Sequence, residues 1–148
     1  MPQVSRRLVN QKTQNKIFTL FISGIALCNS RDSAASLVED LLTPTEKIML
    51  AKRFSIAYML LNSYDYDSIS QALKVSRPTI GSVSTWLKIK GDGLRTVISK
   101  IKRNESMRDI IVEIQDAFEE LIFTSRGQDW SRSKKVLWER RRAREKPY

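Results

Sequence analysis

The 148-residue chain contains no histidine and a single cysteine, Cys28. Without histidine, the most common general base and the most common metal ligand are both missing. A lone cysteine cannot form an intrachain disulfide, which is typical of a protein in a reducing cytoplasm. The sequence also lacks a phosphate-binding glycine loop and a G-x-S-x-G segment. These absences argue against an enzyme, and we expect no catalytic residue, no metal and no cofactor.

Glycine and proline are scarce, with five and four residues, so long segments carry no helix breaker. This composition predicts an all-α fold, and the length is sufficient for one domain with a hydrophobic core. We predict a mobile N-terminus at residues 1–15, a helical domain at 16–124 and a basic tail at 125–148.

The charge is strongly positive, with 26 Lys and Arg against 16 Asp and Glu, a formal net charge of +10. Such an excess indicates a polyanionic partner, nucleic acid first and an anionic membrane surface second. The tail interleaves Trp130 and Trp138 with cations. If the tail is a helix, four of its cations can reach phosphate: Lys134, Lys135, Arg141 and Arg142. The alternative is a solvated basic tail that is disordered in the free protein.

Residues 17–28 form a dense apolar run that follows a basic segment. Together with Cys28 this resembles an export signal, but Leu27 is bulky where a cleavage site requires a small residue. Twelve residues are also too few to span a bilayer, so we expect no membrane partner. We predict a helix that is covered on most sides, and therefore packed between two subunits as well as within one.

Two more helices are predicted before residue 63. Asp32 or Ser33 is expected to cap the first, which runs through Leu42. Thr43, Pro44 and Glu46 form the pattern of a capping box with proline at the first helical position. The helix that follows, to about Asn62, is predicted to bury Ile48, Leu50, Ala51, Phe54, Ala57, Tyr58, Leu60 and Leu61.

Residues 65–88 read as two short helices joined by a tight turn. Ile69, Ala72 and Leu73 give the first helix one apolar face. Val75 is placed between the helices, and Ser76 is a good N-cap for the second. The inner face of the second helix carries Ile80, Val83 and Leu87.

Short hydroxyls and cations occupy the other faces of the second helix. In a helix–turn–helix this helix enters the major groove, where such side chains reach base edges and phosphates. The alternative is a helical hairpin whose polar face is only solvated. The predicted DNA contacts of this segment are Ser76, Arg77, Pro78, Thr79, Gly81, Ser82, Thr85 and Lys88.

The remaining sequence predicts two further helices. Residues 91–93, G-D-G, are a candidate hinge, and an apolar stripe of helical period follows from Leu94 to Ile101. Residues 105–123 repeat apolar side chains on one face and carboxylates on the other. We expect that acidic face to repel DNA and the helix to pack on the core or on a second subunit.

The segments L-L-T-P-T-E at 41–46 and I-S-Q-A-L-K-V-S-R-P-T-I-G-S-V-S-T-W-L-K at 69–88 resemble the Trp repressor family over residues 41–90. The resemblance implies an all-helical homodimer with interwoven N-terminal helices, which reads operator DNA when tryptophan is bound. It also places Arg77, Pro78 and Gly81 at base-reading positions.

The sequence departs from the family pattern at several positions. The two arginines that flank bound tryptophan fall at Ser55 and Ser82, which can neither pair with a carboxylate nor stack on an indole. Lys74 replaces a turn glycine. The chain also continues for about sixty residues beyond the recognition helix, where the family fold ends soon after it.

We therefore predict a cytoplasmic, sequence-specific regulator of transcription, a repressor that binds double-stranded DNA as a homodimer and does not depend on tryptophan. The alternative is an RNA-binding or ribosome-associated basic protein that uses the same charge without reading a groove. A membrane-associated protein is a third reading, and it rests on residues 17–28.

Overall fold

The fold was obtained as a computed structural model, which describes residues 9–125 and 138–139. These residues form α-helices and one short 3₁₀ turn (Glu105–Met107), and they include no strand. The all-α prediction is confirmed. The helices are α1 (Gln11–Ala26), α2 (Arg31–Leu41), α3 (Pro44–Leu61), α4 (Tyr66–Leu73), α5 (Arg77–Lys90), α6 (Asp92–Arg103) and α7 (Arg108–Ser125).

The chain divides into two compact units, Met1–Met49 and Leu50–Tyr148. In the first unit, α1 begins at Gln11, inside the stretch predicted to be mobile, because the Asn10 side chain accepts a hydrogen bond from the Thr13 backbone N–H at 2.8 Å. No residue of α1 is buried in the single chain. Among the described residues, no helix is long and apolar enough to cross a membrane.

The caps of α2 and α3 follow from hydroxyl and carboxylate side chains. Ser30, and not Asp32 or Ser33, caps α2, because Ser30 and Ser33 each accept the other's backbone N–H, at 3.1 and 3.2 Å. At α3 the predicted capping box is present: the Thr43 N–H donates to Glu46 Oε2 at 2.9 Å, and the Glu46 N–H donates to Thr43 Oγ1 at 3.3 Å. The Thr43 hydroxyl also donates to this carboxylate and lowers the pKa of Glu46.

The core of the second unit is formed by side chains from five helices. α3, α4 and α5 contribute most of it, and α6 and α7 close it. Its buried apolar residues are Ile56, Ala57, Tyr58, Met59, Ile69, Ala72, Ile80, Val83, Leu87, Ile98, Phe118 and Ile122.

The face that α3 buries agrees with the predicted one only in part: Ala57 and Tyr58 are buried as predicted, but Ala51 is exposed. Ile56 and Met59 lie fully inside, whereas Ile48, Leu50 and Phe54 are exposed in the single chain. Because α3 carries apolar side chains on nearly every side, its periodicity does not select one face. The choice is made by the helices that pack against α3.

Helix α7 packs on α4, the first helix of the predicted helix–turn–helix. Phe118 and Ile122 provide its buried face, as expected from the apolar repeat. Asp116 was predicted to lie on the acidic outer face, but it is 6% exposed. Residue spacing alone did not show this, because the packed side of α7 is wider than its apolar stripe.

The predicted hinge at residues 91–93 is a one-residue junction between α5 and α6, with Gly93 already inside α6. Gly91 is buried, and a Cβ added to it would lie 2.2 Å from the Leu87 carbonyl oxygen. A Cβ on Gly93 would meet nothing within 4 Å. The close approach of the backbone therefore requires glycine at position 91 only.

We expect Gly91→Ala to lower the free energy of unfolding by about 1–3 kcal/mol, because the added methyl group forces α5 and α6 apart. Gly93→Ala is the matched control and should be neutral or stabilising by up to about 1 kcal/mol, since alanine favours helix. Urea denaturation followed by circular dichroism measures both. Equal midpoints for the two variants would contradict the steric argument.

Candidate nucleic-acid interface

The first helix of the motif is fixed at both ends. Asp65 caps α4, and its carboxylate accepts the Ser68 backbone N–H at 2.8 Å. Lys74 ends the helix in the left-handed region, with φ 51°. The family resemblance implies a glycine at this position, and a lysine with positive φ is strained there by about 1 kcal/mol or more.

The turn continues directly into the second helix. The Ser70 hydroxyl donates to the Val75 carbonyl oxygen at 2.7 Å, which ties the end of α4 to the turn. Ser76 caps α5 as predicted: its hydroxyl accepts the Thr79 backbone N–H at 3.3 Å. Pro78 occupies the first turn of α5, where its missing N–H has no helical partner to lose.

The inner faces of the two helices hold their relative angle. Ile69 on α4 and Ile80 on α5 are both 0% exposed. Val83 and Leu87 continue the buried side of α5, and Val75 packs against the same core from the turn. These residues are the ones predicted from the periodicity. The helix–turn–helix is therefore supported by apolar contacts along its whole inner side.

The outer side of α5 is open. Helical geometry places Pro78, Ser82 and Thr85 opposite the buried side. Of the contacts predicted in this segment, Gly81 is half-buried, and the exposed ones are Ser76, Arg77, Pro78, Thr79, Ser82, Thr85 and Lys88. The four tail residues Lys134, Lys135, Arg141 and Arg142 lie outside the described residues, and their contact with phosphate stays a prediction.

Four predicted DNA contacts already have partners within the protein, and two of them, the Ser76 and Thr79 hydroxyls, are hydrogen-bonded to each other at 2.8 Å. Arg77 forms an ion pair with Asp67 on α4, although both side chains are more than half exposed. The Ser82 hydroxyl donates to the Pro78 carbonyl oxygen at 3.0 Å. An exposed ion pair is worth about 0–1 kcal/mol, so a base or phosphate can replace Asp67. The sequence carries no local signal for this pair, because Asp67 and Arg77 lie ten residues apart on different helices.

A cation–π contact links α3 to the recognition helix. Arg53 Cζ lies 5.9 Å from the centroid of the Trp86 ring, and Trp86 is 44% exposed. At an exposed site such a contact is worth about 0.5–1 kcal/mol. It supplements the buried contacts that hold α5 in place.

Helix α6 adds cations beside the motif. Arg95 Nη2 donates to the Leu87 carbonyl oxygen at 3.3 Å, and Lys102 Nζ donates to Asn62 Oδ1 at 2.8 Å. Lys100 and Arg103 are exposed on the same helix. Two cations of α6 therefore stabilise the fold, while the others add to the positive surface.

A tight turn between two helices, with the second helix packed on one side and polar on the other, defines a helix–turn–helix protein. The chain belongs to the family described as Trp repressor protein, whose family model matches residues 16–102. This match is wider than the resemblance found at 41–90, since it includes most of α1, all of α2 and nearly all of α6. No curated protein and no solved structure matches the chain.

The family is one of helix–turn–helix DNA-binding regulators and is not enzymatic, so the chain is assigned to that class. Helix α7 lies beyond the matched residues. Of the two serines that the resemblance places at the tryptophan-flanking positions, Ser55 is half-buried on α3 and Ser82 is exposed on α5.

Asp67→Asn should raise affinity for random-sequence duplex by up to about fivefold, because Arg77 is released and a negative charge near phosphate is removed. The slope of the logarithm of the binding constant against the logarithm of the salt concentration should become steeper by up to about 0.9, the value for one additional phosphate contact. Fluorescence anisotropy at several salt concentrations measures both quantities.

The control is Asp109→Asn, which removes the same charge from the exposed side of α7. It should change the binding of random duplex by less than about twofold, because that helix lies outside the motif. An Asp67→Asn protein with unchanged affinity and slope would show that the ion pair does not restrain Arg77.

Proposed function

We propose that the protein is a sequence-specific, double-stranded DNA-binding repressor of transcription that acts as a homodimer without tryptophan. The observation that carries the proposal is the contrast between the two sides of α5. One side is buried through Ile80, Val83 and Leu87, and the other exposes hydroxyls and cations. A helix supported in this way can enter a major groove without losing its packing.

The charge of the chain supports a nucleic-acid partner. The formal net charge of +10 favours association with phosphate regardless of sequence. Readout of bases then has to come from side chains at the open face of α5. Arg77 is the strongest candidate, because a guanidinium can contact guanine through two hydrogen bonds. Thr79 lies one turn after the cap and offers a methyl group, and its hydroxyl is hydrogen-bonded to the Ser76 hydroxyl at 2.8 Å.

The first unit supports a homodimer. In its three helices and beside them, large apolar side chains are 42–80% exposed in the single chain: Ile17, Phe18, Leu20, Phe21, Ile22, Ile25, Leu27, Val38, Leu41, Ile48 and Met49. An exposed apolar surface of this density is typical of an obligate interface. Two copies that exchange these helices would cover it, and they would present two recognition helices to a two-fold symmetric site.

Arg77→Ala and Thr79→Ala should lower affinity for the preferred DNA site far more than affinity for random duplex. A lost bidentate base contact costs on the order of 1–3 kcal/mol of discrimination. The preferred site is first obtained by sequencing duplex fragments selected by the purified protein. Affinities for this site, for random duplex and for RNA of the same sequence are then compared.

Arg108→Ala on α7 and Thr96→Ala on α6 are matched controls, since both residues are exposed and lie outside the motif. They should leave the ratio of specific to random binding unchanged. If the motif variants weaken all duplexes equally, α5 does not read bases. If RNA binds as tightly as the selected duplex, the protein is not a groove reader.

At micromolar concentration, light scattering should give about twice the chain mass of 17.1 kDa. Leu20→Glu should shift the protein toward monomer, because Leu20 is 75% exposed in the single chain and a charge there cannot enter an apolar interface. Lys12→Glu on the same helix is the control for added negative charge. A monomeric wild-type protein would refute the exchange of N-terminal helices.

Free tryptophan should leave DNA affinity unchanged. Ser55 and Ser82 offer neither a charge for the carboxylate nor a plane for the indole, so the zwitterion gains too little to offset its lost hydration. Calorimetry with millimolar tryptophan, followed by DNA titration at that concentration, measures the effect, with alanine as the control ligand. Saturable binding that also tightens the operator complex would contradict the argument from the two serines.

A further inference from the structure

A cavity of about 160 Å³ lies in the second unit between α3, α6, the 3₁₀ turn and α7. Eight of its nine lining residues are aliphatic or aromatic, and the ninth is Ser55. No charged side chain contributes to the lining. The cavity is partly open, with Ile114 43% exposed, so a small molecule can enter without unfolding the core.

The size and lining determine which molecule fits. Apolar cavities of about 150 Å³ stay dry and take up benzene-sized ligands. An ion would lose its hydration without gaining a partner, so a charged ligand is excluded. The Tyr58 hydroxyl is already the acceptor of a hydrogen bond from Gln115 Nε2 at 3.3 Å, and burial raises the pKa of Tyr58. The cavity therefore offers an almost entirely apolar surface, to which the Ser55 and Tyr58 hydroxyls contribute little.

This cavity differs from the tryptophan site implied by the family resemblance. Five of its nine lining residues, all between Met107 and Phe118, follow residue 102, where the family match ends. Ser82, the second position that corresponds to a tryptophan-flanking arginine, does not line it. The cavity depends on the additional helix α7.

The walls of the cavity connect to the helix–turn–helix. Helix α7 packs on α4, and α6 is joined to α5 through Gly91. Phe118 lines the cavity and also belongs to the buried core that contains Ile69 and Ile80. A ligand that moves Phe118 therefore acts on the side chains that hold the two helices of the motif.

We propose that this cavity is a binding site for a small, uncharged aromatic or aliphatic molecule, and that its occupancy changes the DNA affinity of the helix–turn–helix. The second half of the proposal rests on the proposed DNA-binding function. The first half does not, and the two are tested separately.

The binding test is a titration of the full chain, labelled with ¹³C at its isoleucine methyl groups, with toluene. Ile101, Ile110, Ile111 and Ile114 should shift together and saturate, with a dissociation constant of about 1 mM for a ligand of this size. Benzoate, which adds a charge to a ring of similar size, should not bind. Absence of saturable shifts at these methyl groups, or equal binding of benzoate, would overturn the assignment of the site.

Substitutions in the cavity wall test whether toluene binds inside the cavity. Ser55→Leu fills the volume from α3 and should weaken toluene binding by about tenfold or more. Ser99→Leu is the matched control, because Ser99 is exposed on α6 and does not line the cavity. If Ser55→Leu fails to fold, Ile114→Trp closes the half-exposed rim and should have the same effect. Wild-type affinity in a folded, filled variant would overturn the site.

The regulatory test uses the selected duplex with and without saturating toluene. The affinity for DNA should change by about fivefold or more in the wild-type chain and remain constant in Ser55→Leu. An unchanged DNA affinity at full occupancy would overturn the regulatory role. If the protein binds no DNA, the proposed function fails while the toluene titration still decides the site.

Discussion

The structure depends on the apolar contact that joins α3, α4 and α5. Ile56, Met59, Ile69 and Ile80 are the largest fully buried side chains, and they come from these three helices. Burial of one such side chain contributes about 1.5–3 kcal/mol. This contact fixes the angle between the two helices of the motif, so the exposed side of α5 is presented as a rigid surface. The capped helix ends and the Arg53–Trp86 contact add smaller contributions.

The two units use apolar surface in different ways. In the second unit, apolar side chains of five helices are buried against one another. In the first unit, α1 exposes its apolar residues, and α2 and the start of α3 add Val38, Leu41, Ile48 and Met49. A helix apolar on most sides is stable in water only when a partner covers it. The exposed surface therefore supports the proposed assembly of two chains, while the second unit contains the helix–turn–helix.

Helix α7 adds a layer to the family fold. It lies beyond residues 16–102, packs on α4 and encloses the apolar cavity with α3 and α6. A regulator that acts without tryptophan, as we propose for this protein, needs another means to hold or adjust its recognition helix. The packing of α7 on α4 can hold the recognition helix in place, and a ligand in the cavity can adjust its position. Both are consequences of the residues that follow Asn104.

The sequence by itself determined the features that are local. Thr43 and Glu46 encode a cap, and Ile69, Ile80, Val83 and Leu87 encode the inner side of the motif, because their partners lie within a few residues or one turn. Only the tertiary structure decided the buried face of α3, the burial of Asp116, the requirement for Gly91 and the pairing of Arg77 with Asp67. The requirement for Gly91 comes from the backbone conformation at the junction of α5 and α6, and the other features depend on groups brought together by helix packing. A helix with apolar residues on every side carries no local signal for which of its faces is covered.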